Sequence, residues 1–143
     1  MTDKAENNAA LRAQSILVLE AFEHVHIDKL EEYERMGSII DDQVKASEPG
    51  MLVHALTKIS ESDEEAVYRW LEVFDSELAL ETHLSNPLVI THIEAMKSGV
   101  LSDETKLIIY SDWNDTQKKY WKSRLTGANL AFAPMITGFF LKR

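Results

Sequence analysis

Two runs of branched and aromatic residues, "MLVHALTKI" (51–59) and "VYRWLEVF" (67–74), are separated only by the polar stretch "SESDEEA". A connection this short joins antiparallel neighbours, because a parallel pair needs a crossover of a dozen or more residues. The two runs therefore read as a hairpin, and a hairpin in mid-chain limits what can stand on either side of it. In its second strand the period of two places Tyr68, Trp70, Glu72 and Phe74 on one face and Val67, Arg69, Leu71 and Val73 on the other. Both faces carry apolar residues, so both need a cover.

The flanking segments supply one cover. "SILVLEAFEHVH" (15–26) reads as a first strand, apolar throughout its first half and with Glu20, Phe22, His24 and His26 on one side of its second half. In "IDKLEEYERMGSIIDDQVKAS" (27–47), Leu30, Tyr33, Met36, Ile40 and Val44 recur at helical spacing, and Asp28 with Glu31 has the spacing of a capping box. Glu48-Pro49-Gly50 stops that helix. After the hairpin, Ser76 caps a short helix, and Ser85 or Asn86 caps a second one that starts at Pro87 and runs to Gly99. "TKLIIYSDW" (105–113) is a fourth strand, "DTQKKYWKSRL" (115–125) a short basic helix, and "MITGFFLK" (135–142) a last strand. The first six elements spell βαββαβ, a ferredoxin-like α+β sandwich with an added C-terminal helix and strand. Its helices cover one sheet face, and a second copy is the economical cover for the other, so a homodimer is expected.

At 143 residues the chain suits one domain, expected over residues 14–143 behind a polar extension at 1–13. A net charge of −9 argues against nucleic acid or an anionic membrane as partner. The basic cluster "KKYWKSR" (118–124) reads as a solvated helix face. Without cysteine there is no disulfide, thiolate metal site or cysteine nucleophile. The start lacks a secretory pattern, and no run approaches the roughly 20 apolar residues of a membrane span, so a cytoplasmic protein is expected. The sequence shows no glycine-rich phosphate loop, serine elbow, or flavin or nicotinamide fingerprint.

Glu72, Phe74, Ser76, "LETHL" (80–84), Pro87 and "EAMKSGVL" (94–101), with the Glu48-Pro49-Gly50 turn, resemble the antibiotic biosynthesis monooxygenase family of dimeric α+β barrels over about residues 15–143. The quinol monooxygenase branch fits best, and "ITGFFLKR" (136–143) is similar to longer members that append a helix and a strand. The resemblance implies a cofactor-free monooxygenase acting on a quinol or another aromatic or polyketide-like small molecule. The alternative is a small-molecule-binding or stress-associated dimer without turnover. One fold hosts many chemistries, so the residues must decide.

Two histidines are the catalytic candidates. His83 can shuttle a proton at the pocket mouth, or tie a helix end to the strand below, which is the role expected where the family keeps a histidine across different chemistries. His92 shares a helix face with Leu88 and Ala95 and can act as the base or rest half-buried on backbone. By resemblance His92 also matches the iron-ligating position of heme-degrading members. Phe74 stands where many relatives carry tryptophan, and the first strand lacks the asparagine of that branch, which argues against heme. Phe22, Tyr68, Trp70 and Phe74 are candidate pocket walls, and His54 lines the pocket or sits in the core. Glu72 among aromatics is expected to have a raised pKa and to act as a base, or to form a salt bridge at a helix or dimer contact. His24, Glu23 and His26 invite a metal reading, and His24 and His26 share a strand face, but no third ligand follows at useful spacing, so no metal site is expected there. A pocket closed by Trp70 and Met96 would mark the binder without turnover.

Overall fold

The computed structural model describes residues 16–136. Strand β1 (Leu17–His26) leads through one turn of 3-10 helix into α1 (Leu30–Ser47), followed by the hairpin of β2 (Met51–Glu61) and β3 (Glu65–Phe74). Helices α2 (Glu77–Ser85) and α3 (Pro87–Lys97) precede β4 (Lys106–Ser111), α4 (Asp115–Arg124) and β5 (Asn129–Pro134). The sheet order is β2-β3-β1-β4-β5, antiparallel except for the parallel β4–β5 pair. This is the ferredoxin-like α+β sandwich, with α4 carrying the chain across to a fifth strand.

Local signals account for most of the boundaries. Ser76 Oγ accepts the Ala79 N–H at 3.1 Å and opens α2, while Asn86 Oδ1 accepts the Leu88 N–H at 3.1 Å and opens α3 with Pro87 in its first turn. The capping box expected at Asp28 and Glu31 is not formed, because the 3-10 turn over Ile27–Lys29 carries the chain into α1 with no side-chain cap. A full capping box stands instead at Asn114 and Gln117 of α4. The last strand also differs from expectation. It lies at Asn129–Pro134, Met135 and Ile136 follow it, and the remainder of the predicted strand (137–142) lies outside the described residues.

Tyr33, Ile40 and Val44 turn the buried stripe of α1 onto the sheet, where they meet Trp70, Phe74, Tyr68 and Leu19. Trp121 of α4 is not part of a solvated face: it is buried, stacks on Trp113 with ring centroids 5.4 Å apart, and donates from Nε1 to Glu77 Oε1 at 2.7 Å. The opposite sheet face is half-exposed, with Val18, Leu71, Val73 and Ile108 surrounding Glu20. Arg69 Nη1 and the Tyr110 hydroxyl both donate to that carboxylate, at 3.2 and 2.6 Å.

The turn between α1 and β2 is pressed against α2. A Cβ at Gly50 would lie 2.6 Å from the Ala79 Cβ, which cannot swing aside, and 2.9 Å from Asp75 Oδ1. Gly50→Ala is therefore expected to lower stability by about 1–3 kcal/mol, the range for overpacking. Urea unfolding checks this: the midpoint should fall with the slope unchanged.

Candidate active site

The helix-facing side of the sheet and the helices above it enclose a cavity of about 270 Å³. Strand β1 contributes Leu19, Ala21 and Glu23, the hairpin contributes His54, Trp70 and Glu72, and the helices contribute His83, His92 and Met96. The segment from Arg124 to Ala128, which leads from α4 to β5, closes one side, so the added C-terminal elements form part of the wall.

Glu72 is the centre of the polar part. It is only 8% exposed, and strand register sets it opposite His54 of β2 and Leu19 of β1. A register shift between Met51 and Val53 brings His54 onto this face, where its ring stacks on Trp70 at 4.5 Å. His54 Nε2 lies 3.5 Å from Glu72 Oε1, and His83 Nε2 lies 3.8 Å from the same oxygen. The outer nitrogens are tied as well. His54 Nδ1 meets Asp41 Oδ1 at 2.5 Å, and His83 Nδ1 meets Glu48 Oε1 at 2.9 Å. Because ionised carboxylates only accept, both Nδ1 atoms carry the donated proton. Asn86 Nδ2 adds a 2.9 Å bond to Glu48 Oε2, joining the α3 cap to the same network.

These contacts set the charges. Burial alone would push the Glu72 pKa up, but His83 and then His54 outweigh it, and the carboxylate lies below its ordinary range. The expectation of a raised pKa is thus reversed, because the neighbours that matter are two imidazoles rather than the aromatic rings. Burial would lower His54 and His83, yet the carboxylates around each (Glu72 with Asp41, Glu72 with Glu48) raise both. His92 goes the other way. Burial lowers it, His54 lowers it further, and its place in the cavity wall therefore favours the neutral imidazole.

The remaining candidates divide by strand parity. Tyr68 and Phe74 share the face of Glu72 but are buried beside the cavity: Tyr68 packs on Tyr33, and Phe74 meets the His83 ring edge-on. Phe22 lies on the opposite sheet face, since Ala21 and Glu23 are the residues of β1 that line the cavity. His24 is engaged by Glu65 at 3.0 Å and His26 is exposed, so neither joins the cluster. Trp70 and Met96 line the cavity without filling it.

Three residues were not assigned to the cavity or its network by the sequence reading. Asp41 belonged to a polar helix face, and Glu48 to a helix-stopping turn. Glu23 sits at another point of the cavity wall, takes a 2.8 Å hydrogen bond from the Tyr33 hydroxyl, and has its pKa raised by burial.

No family model matches the sequence, and no curated protein matches it significantly. Solved structures do match. A "putative antibiotic biosynthesis monooxygenase" from Caulobacter crescentus CB15 is 27% identical, with 76% of this chain and 99% of that one covered at a TM-score of 0.62. A protein of the same description from Deinococcus radiodurans is 18% identical over 68% of this chain and 93% of that one, with a TM-score of 0.58. MupZ from Pseudomonas fluorescens, 15% identical, covers 90% of this chain and 95% of its own at 0.63, a share larger than the βαββαβ frame alone supplies.

Glu23 gives the site a stability signature. Its proton is held more tightly in the folded than in the unfolded chain, so between the ordinary carboxylate pKa and its raised folded value the native state carries more protons and stability falls as pH rises. Glu23→Gln removes that slope. Unfolding free energies compared from about pH 5 to about pH 8 should show wild type losing ground to the variant. A difference independent of pH would contradict the assignment.

Proposed function

On the premise that this chain has the fold of the antibiotic biosynthesis monooxygenases, we propose that it is a homodimeric, cofactor-free monooxygenase for a compact quinol or related phenolic molecule. The observation that carries the reading is His92, its pKa lowered by burial and by His54, lining a cavity that also holds Trp70 and the Glu72 cluster. A volume of about 270 Å³ lies at the small end of ligand pockets and suits one or two fused rings better than an extended chain.

His92 takes the phenolic proton as base, and Trp70 provides a flat apolar surface for the ring. The resulting anion is electron-rich enough to pass an electron to oxygen, and recombination forms a peroxide on the ring carbon. The ring carbon keeps its one hydrogen beside the peroxide; when His92 returns the proton and the O–O bond breaks, one oxygen atom stays as a carbonyl and the other leaves as water carrying that hydrogen and the returned proton. The chain's task is to hold the anion, exclude bulk water and return the proton. His83 and His54 take no proton from the substrate in this scheme, since each is held at both ring nitrogens by carboxylates.

The half-exposed sheet face is the proposed dimer surface. Leu71 lies near its middle, and Arg69 Nε is buried there with no hydrogen-bond partner among the described residues. Leu71→Arg is expected to convert a dimer to a monomer, read by light scattering during gel filtration.

Oxygen uptake by metal-stripped protein against a panel of quinols and anthrone-like phenols tests the reaction. Protein-dependent uptake that falls about 10²–10⁴-fold in His92→Ala supports it, that being the usual contribution of a general base. Saturable quenching of Trp70 fluorescence without uptake would replace it with the binder that does not turn over.

A further inference from the structure

We propose that His54, Glu72 and His83 form a binding site for one divalent transition-metal ion, with its open side facing the cavity. One ligand atom from each of the three residues falls within 4.8 Å of the other two. The edges from Glu72 Oε1 to His54 Nε2 and His83 Nε2 are 3.5 and 3.8 Å. Donors about 2.0–2.2 Å from a tetrahedral zinc ion stand roughly 3.3–3.6 Å apart. The two measured edges need little adjustment, and the ligand atoms of the two imidazoles lie within 4.8 Å of each other.

The surroundings have the form that metal-binding histidines use. Each imidazole has its Nδ1 fixed by a carboxylate, His54 by Asp41 and His83 by Glu48, which sets the ring orientation and turns Nε2 inward. Such outer contacts orient metal ligands and raise their basicity. Once an entering metal displaces the Nε2 protons, three electron-pair donors stand within 4.8 Å of one another beside the cavity. Two imidazoles and one carboxylate suit zinc, cobalt or ferrous iron. They do not suit magnesium or calcium, which favour all-oxygen shells, and there is no thiolate to favour cuprous copper. All three ligand residues line the same cavity as Trp70 and His92, from which a water or an anionic ligand oxygen can complete the shell.

The inference is independent of the oxygenase reading. His92 is outside the ligand set, and oxygen uptake is measured on metal-stripped protein, so either proposal can fail alone.

The test is a titration of chelator-treated full-length chain with Co²⁺, followed by displacement with Zn²⁺. The expected result is one Co²⁺ per chain with the intense visible bands of four- or five-coordinate cobalt, bleached by Zn²⁺. Glu72→Gln should abolish the bands. Asp41→Asn, which changes a half-exposed helix residue and keeps all three ligands, should weaken binding about 10–100-fold with an unchanged circular dichroism spectrum. His92→Ala should bind as wild type does. Absence of the bands in folded wild type overturns the proposal. So does binding that is unchanged in both Glu72→Gln and Asp41→Asn, or lost in His92→Ala.

Discussion

A carboxylate buried in the middle of a sheet face is the constraint around which this molecule is arranged. Glu72 is almost wholly buried at the cavity wall, and an ionised group in that position is tolerated only when paired. His54 and His83 supply the pairing, and each is held by a second carboxylate. The chain of contacts reaches Asp41 in α1, Glu48 in the turn before β2, and Asn86 at the cap of α3. One buried charge thus fixes the relation of three helices to the hairpin. Removing one partner from such an arrangement strands charge in the interior, at a cost of about 3–5 kcal/mol.

The same arrangement explains why a cavity persists above the sheet. Glu72 and its imidazoles claim positions that in an ordinary core would hold interdigitating aliphatic side chains. The apolar remainder, with Leu19, Ala21 and Trp70 below and Val89 and Met96 above, packs around the polar cluster rather than into it. The added α4 and β5 do more than cover a sheet edge. Trp121 anchors α4 to Glu77 of α2, Arg124 pairs with Glu81 at 2.9 Å, and the following turn walls the cavity.

Much of the frame was legible in the sequence because it rests on local rules. The short polar link made the hairpin, helical spacing made α1, and Ser76, Asn86 and Pro87 marked the starts of α2 and α3. What was not legible depends on long-range pairing. An apolar first strand has no parity of its own, so Phe22 looked as good a wall as Ala21 until the register with Trp70 and Glu72 was known. The shift near Val53 that brings His54 opposite Glu72 leaves no mark in composition. Asp41 and Glu48 looked like a solvated helix face and a turn because their partners lie 13 and 35 residues away. The Asn114–Gln117 capping box, by contrast, was present as a local pattern and is a missed reading rather than a hidden one.

The central claim is that carboxylates hold both imidazoles beside Glu72 by their Nδ1 protons. Histidine ring ¹⁵N spectra of the metal-stripped protein test it most directly, with His54 and His83 assigned by single substitution. The account predicts a protonated Nδ1 in both rings, with His54 perturbed by Asp41→Asn and His83 by Glu48→Gln. Rings protonated only at Nε2, or indifferent to those substitutions, would contradict the network on which the site is built.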